Sequence, residues 1–215
     1  MTSKPTNRYW DIKVFAIVVV IALIGTLVAL WMFSANSQEV TGQETPQKLL
    51  SKWEDSILDA DRRRFIECYY PTSDDYRDMV AAQFDAVQAY YAFAKAVESA
   101  YGSGAMLKYE EIDADYEVGF VNVPKRRGTF RTVNVDVSGN VAYFDNPISE
   151  RRARLVLKGG QWFYDASYEV KKPDAVTPAY SSLEKAFLWG ATKAREKSMS
   201  LLELKEALGR GRWRE

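Results

Sequence analysis

Residues 14 to 33, VFAIVVVIALIGTLVALWMF, form a run of twenty residues without a charge. As an α-helix, a run of that length spans the roughly 30 Å hydrocarbon core of a bilayer. A secretory signal peptide is the competing reading, with Ala35 and Ser37 as small residues at a cleavage site. Signal h-regions, however, run only about 7 to 15 residues, so length favours an uncleaved anchor. Lys4, Arg8 and Lys13 precede the run and Glu39 and Glu44 follow it. That asymmetry places residues 1–13 in the cytoplasm and everything beyond residue 33 outside it, in the periplasm if the cell is bacterial. Trp10 and Trp31 suit the two interfaces.

Composition narrows the chemistry. Lysine plus arginine and aspartate plus glutamate both total 29, so the net charge is zero and no pull toward nucleic acid is expected. The chain has no histidine, which removes Ser-His-Asp and Cys-His catalysis, an imidazole base and histidine-ligated metals. Cys68 is the single cysteine, so no intrachain disulfide forms and the exported part must hold by packing. With 47% hydrophobic residues, the chain has the material for one core.

Hydrophobic periodicity sets the organisation. Residues 34–44, SANSQEVTGQE, are small and polar and read as a linker. Thr45 as N-cap and Pro46 in the first turn open a helix with Leu49, Leu50, Trp53, Ile57 and Leu58 on one face. Asp59-Ala60-Asp61 interrupts it, and Phe65, Ile66 and Tyr69 resume an apolar face before Pro71. A long helix is expected from Ser73 to Tyr101, stopped by Gly102. The period then falls to two, giving strands at Tyr116–Val123, Phe130–Val137, Val141–Phe144, Arg152–Lys158 and Trp162–Val170. Lys171-Lys172-Pro173 closes the last strand, and two capping boxes, Ser181 with Glu184 and Ser200 with Glu203, open C-terminal helices, the second ending at Gly209. The fold class is therefore α+β. The segments are a tail (1–13), a transmembrane helix (14–33), a linker (34–44), a domain (45–172) and a C-terminal helical extension (173–215).

Gly159-Gly160 supplies the positive φ of a two-residue hairpin turn and so fixes a register. Lys158 faces Gln161, Leu157 faces Trp162, Val156 faces Phe163 and Leu155 faces Tyr164. Ala153, Leu155, Leu157, Trp162, Tyr164 and Ala166 then share the buried face.

Three stretches carry a resemblance to the NTF2-like (SnoaL-like) superfamily. WEDSILDADRRRFIECYY (53–70) is similar to its opening helices, VDVSGNVAYFD (135–145) to its central hairpin, and LVLKGGQWFYD (155–165) to its closing hairpin. The resemblance covers about residues 45–170. It implies a cone in which a curved antiparallel sheet wraps a long helix around a pocket that serves catalysis in some relatives and binding in many. The sequence departs from that pattern in having no clear third helix, unless Gly104 to Ile112 supplies it. An anchor joined to an exported domain of this kind also resembles the VirB8-like secretion and conjugation components. Asn146-Pro147 matches their asparagine-proline pair, but Ser149 stands where they carry glycine.

The leading expectation is a membrane-anchored domain acting by protein or ligand binding, without catalysis and without a cofactor or metal. Its partners are the membrane, through residues 14–33, and a protein or a second copy; nucleic acid is not among them. Trp53, Tyr69, Tyr91, Trp162 and Tyr164, with Tyr90, are the aromatics suited to line a pocket for a small apolar ligand, and ordinary core is their bland alternative. Arg126 and Arg127, beside Lys125, and Arg152 and Arg154, beside Arg151, form two basic clusters suited to a contact surface, against plain solvation. The rival is an isomerase- or cyclase-like enzyme with a carboxylate base. Asp113, Asp115 and Asp165 are its candidates, each more simply a solvated or paired charge. Asp59-Ala60-Asp61 lacks the spaced oxygens of a calcium loop, and Cys68 among Phe65, Ile66 and Tyr69 suits a buried thiol.

A reporter fused after Glu215 tests the topology. An export-dependent reporter should be active there and a cytoplasm-only one silent; the reverse result, or a mature N-terminus near Gln38, would remove the uncleaved anchor.

Overall fold

In a computed structural model of the chain, residues 42–112, 123, 124 and 126–214 are described. The apolar run at 14–33, most of the strand expected at 116–123, and Asp113 and Asp115 lie outside them. No helix of the described residues is long and apolar enough to cross a membrane. The described part is α+β: seven α-helices and one four-stranded antiparallel sheet.

Helix α1 (Pro46–Leu58) starts where its capping chemistry directs, with Thr45 accepting the Lys48 N–H and Pro46 in the first turn. At the acidic break Ala60 takes a φ of +56°. Asp61 then caps the short α2 (Arg62–Glu67) by accepting the Arg64 N–H. Helix α3 (Asp74–Tyr101) runs from its Ser73 cap to Gly102 at φ +97°. Helix α4 (Ala105–Glu111) follows, within the 104–112 stretch and ahead of every described strand.

The strands β1 (Asp136–Ser138), β2 (Val141–Asp145), β3 (Arg152–Lys158) and β4 (Gln161–Tyr164) form a meander in chain order. The β3–β4 register pairs Leu155 with Tyr164, Val156 with Phe163, Leu157 with Trp162 and Lys158 with Gln161, as the Gly-Gly turn requires. Ala153, Leu155, Trp162, Tyr164 and Ala166 are buried, and Leu157 is half-buried. The outer edge of β4 is covered. Tyr164 donates its N–H to Cys68 O and accepts from the Tyr70 N–H, and Trp162 donates its N–H to Gln43 O. Covering an edge in this way leaves it no free ladder for a second chain.

Two expected strands differ. Over 126–132 the chain turns, and strand structure begins only at Asp136. The buried carboxylate of Glu54 accepts the N–H groups of Gly128 and Thr129, both at 2.8 Å, and Phe130 is fully buried against Trp53. A loop pinned by that carboxylate has no strand partner to seek. The strand expected to run to Val170 stops at Tyr164, because Asp165 caps α5 (Ala166–Glu169) by accepting the Ser167 N–H.

Helix α6 (Pro173–Glu196) has Lys172 rather than Ser181 as its N-cap, so it begins nine residues earlier than a Ser181 capping box would place it. Proline at N1 already has helical φ, and Pro178 is tolerated within the first turns. Helix α7 (Leu201–Gly209) does carry its capping box, Ser200 with Glu203, and includes Gly209, ending at Arg210. Helix α6 packs along α3, and Phe187, Ala191, Ala194, Leu204 and Leu208 join the core. Buried Lys205 donates to Glu110 O and Ile112 O, satisfying the end of α4. Residues beyond 172 thus share one core with those before.

Gly190 marks the tightest point of that packing, since a Cβ there would lie 3.0 Å from the Phe93 ring and 3.1 Å from Leu208. Both neighbours are buried and have little room to move. For Gly190→Ala, overpacking costs about 1 to 3 kcal/mol and the gain in helix propensity returns about 1. A net loss of about 1 kcal/mol in urea unfolding is expected; a rise in stability would show that the α3–α6 seam yields.

Candidate functional site

The described domain contains a cavity of about 270 Å³, at the small end for ligand pockets. Three of the aromatic candidates meet in it. Trp53 comes from α1, Tyr69 from the segment after α2, and Tyr164 from the end of β4. The Tyr69 and Tyr164 rings lie 5.3 Å apart and those of Trp53 and Tyr164 5.5 Å apart. The indole N–H of Trp53 donates to the Tyr69 hydroxyl at 3.0 Å. Met79 and Gln83 of α3, Val170, and Tyr180 of α6 add the remaining walls, and Asn146, Ser149, Arg151 and Glu169 stand among the lining groups.

Trp162 and Tyr91 do not line the cavity. Trp162 is buried two residues closer to the hairpin turn than Tyr164. Tyr91 lies eight residues beyond Gln83 on α3, about 12 Å along the axis, and donates its hydroxyl to Pro124 O at 2.5 Å. Tyr90 donates to Glu110 at 2.9 Å and packs edge-on against Phe187. These rings are core.

Most of the basic candidates are held within the domain. Arg127 bridges Asp55 and Asp59, Arg154 donates to Asp165 at 2.8 Å, and Arg152 lies 3.7 Å from Asp136 and over the Tyr143 ring. Arg126 is exposed. Asp165, 5% exposed, also accepts from the Ser167 N–H and hydroxyl. It is a cap and ion-pair partner whose two oxygens are taken by Arg154 and Ser167. Cys68 is fully buried, its thiol donates to Arg64 O at 3.2 Å, and burial pushes that thiol up to about 12, so it is not a nucleophile. Among the described residues no group of three acidic or cysteine side chains is placed to hold a metal.

Glu169 is the residue that sequence reasoning missed. Read as part of a strand, it had no reason to approach Tyr69; the turn into α5 brings it to the cavity. Burial raises its carboxyl above the ordinary range, Arg151 draws it back down, and Asp165 pushes it up. Its residue surface remains open to solvent, so the effect of burial is partial. Burial is also the largest cause raising the hydroxyls of Tyr69, Tyr164 and Tyr180, and the charge of Glu169 adds to each. Among the described residues, neither Glu169 nor Arg151 makes a side-chain hydrogen bond or ion pair, with each other or elsewhere.

Comparison with protein-family models, with curated proteins and with solved structures finds no match to this chain.

The Tyr164 hydroxyl is sealed from solvent and has no hydrogen-bond partner. An unmet buried hydroxyl costs about 1 to 3 kcal/mol. Tyr164→Phe should therefore leave stability unchanged or raise it by about 1 kcal/mol. Tyr69→Phe, which strips the acceptor from the Trp53 indole, should lower it by a similar amount. Chemical denaturation of both variants checks the contrast, and a Tyr164→Phe protein less stable than Tyr69→Phe would refute it.

Proposed function

We propose that this chain is a membrane-anchored, extracytoplasmic domain of the NTF2-like kind that works by binding a small ligand, without catalysis. The observation that carries the reading is the cavity: an aromatic group of Trp53, Tyr69 and Tyr164 beside Arg151 and Glu169, whose side chains no hydrogen bond or ion pair among the described residues consumes. Side chains that are neither packed nor paired are available to a ligand. The α+β order, with an antiparallel meander packed on helices, is consistent with the cone the resemblance implies. The cavity also adds Gln83, Asn146, Ser149, Arg151 and Glu169 to the aromatics, so its ligand needs polar groups as well as an apolar body.

A carboxylate enzyme is the second reading, and Glu169 favours it. Its raised carboxyl lines the same cavity as Tyr69 and Tyr180, the kind of pairing a general base with an oxyanion donor needs. The VirB8-like assembly reading draws on Asn146-Pro147. There Asn146 Oδ1 accepts the N–H groups of Ile148 at 2.9 Å and Ser149 at 3.3 Å, a local turn role that accounts for the asparagine by itself.

Ser149→Trp tests the binding reading by filling the cavity from a half-buried position. Complementation of a deletion strain should fail while the melting temperature stays within a few degrees of the parent. Intact complementation would move the working surface elsewhere on the domain, as assembly requires. Glu169→Gln separates binding from catalysis, because excess ligand restores a weakened binder and does not restore an enzyme without its base.

A further inference from the structure

We infer that the cavity takes a zwitterion of amino-acid size, with its carboxylate on Arg151, its ammonium on Glu169 and its apolar group against the aromatic wall. The inference rests on the binding reading above. It starts from two opposite charges that line the same cavity. Arg62, Arg127 and Arg154 are each ion-paired within the domain, and Lys205 is spent on two carbonyls. Arg151 and Glu169 line one cavity, carry opposite charges, feel each other's field and yet have no ion-pair or hydrogen-bond partner among the described residues.

Three classes of occupant can be compared. A neutral molecule displaces water from both charges and returns nothing to either, which costs free energy. An anion satisfies Arg151 and meets the repulsion of Glu169; a cation satisfies Glu169 and meets Arg151. Only a molecule with both charges meets both groups, and charge-assisted hydrogen bonds are the strong ones. The remaining polar lining, Gln83, Asn146 and Ser149, is neutral, so the two charges set the preference. Asn146 spends its oxygen on backbone N–H groups, which leaves its amide N–H₂ to donate. Half-buried Tyr69, Tyr180 and Val170 supply the apolar wall, suited to a branched or aromatic side chain and to cation–π support of an ammonium.

The experiment uses the purified full chain in detergent, with tryptophan fluorescence or calorimetry as readout, since Trp53 lines the cavity. The probes are L-leucine, its decarboxylated amine isopentylamine, its deaminated acid 4-methylpentanoate, and neutral isopentanol, with L-phenylalanine as a second zwitterion. Leucine or phenylalanine should bind at least about tenfold more tightly than any single-charge or neutral probe, the loss expected on removing one charge-assisted hydrogen bond. Glu169→Gln should weaken the zwitterion about tenfold or more and improve 4-methylpentanoate; Arg151→Gln should do the same for the zwitterion and improve isopentylamine. Both side chains are exposed and have no ion-pair or hydrogen-bond partner among the described residues, so melting curves should match the parent. If isopentanol or a single-charge probe equals the zwitterion, the charge pairing is wrong while the binding reading stands. If neither amino acid binds, the zwitterion is overturned, and the Ser149→Trp complementation result decides separately whether the cavity works at all.

Discussion

Trp53 is the side chain on which the arrangement depends. Its ring packs against Phe65 of α2, Phe130 of the pinned loop and Tyr164 of β4, with centroids 5.1 to 6.0 Å apart, and its N–H holds the Tyr69 hydroxyl. One indole thereby fixes four separate stretches of chain against one another. Its neighbour Glu54 works in the other direction, with a carboxylate that is 1% exposed and accepts two backbone N–H groups of the 126–130 loop. A buried carboxylate held this way is tolerated because its oxygens are satisfied. Adjacent residues on one turn of α1 thus set the apolar and the polar halves of the same junction.

The cavity follows from that junction. The Tyr69 and Tyr164 rings there meet at a tilted 30°. The turn from β4 into α5 then carries Glu169 to the opening that the rings leave, while α6 brings Tyr180 from a distant part of the sequence. Trp53, Tyr69 and Tyr164 come from the opening helical segments and the closing hairpin, and Asn146, Ser149 and Arg151 from the connection between β2 and β3. Binding chemistry commonly concentrates in such connections, because they are positioned by a scaffold without being consumed by it.

How much of this was legible in the sequence varied with the range of the interaction. Caps and turns are local, and Thr45, Ser73, Gly102, the Gly159-Gly160 register and the Ser200–Glu203 box all stand where their chemistry puts them. Alternation alone misled at Phe130–Val137 and beyond Tyr164, where partners distant in sequence or a side-chain cap outcompeted the ladder. The same limit applied to the site. Trp53, Tyr69 and Tyr164 were readable as aromatics near helix and strand ends, but nothing local distinguished them from Trp162 and Tyr91, which pack into the core. Glu169 was hidden because the α5 turn that aims it was hidden. The basic clusters were visible, yet the acids that neutralise Arg127 lie 68 and 72 residues away in the chain.

The clamp at Gln43 gives the molecule a mechanical property. Its carbonyl accepts the Trp162 N–H and its side-chain amide donates to Glu67 O at 3.2 Å, so the first described residues are fastened to β4 and to the end of α2. Tension arriving along the chain from the N-terminal side is therefore delivered to those two segments before it reaches the α3–α6 pair. They are the segments that carry Tyr164 and Tyr69. A chain pulled from that side would feel the load at the aromatic wall of its cavity first, so a force on the N-terminal side and the shape of the cavity are mechanically coupled.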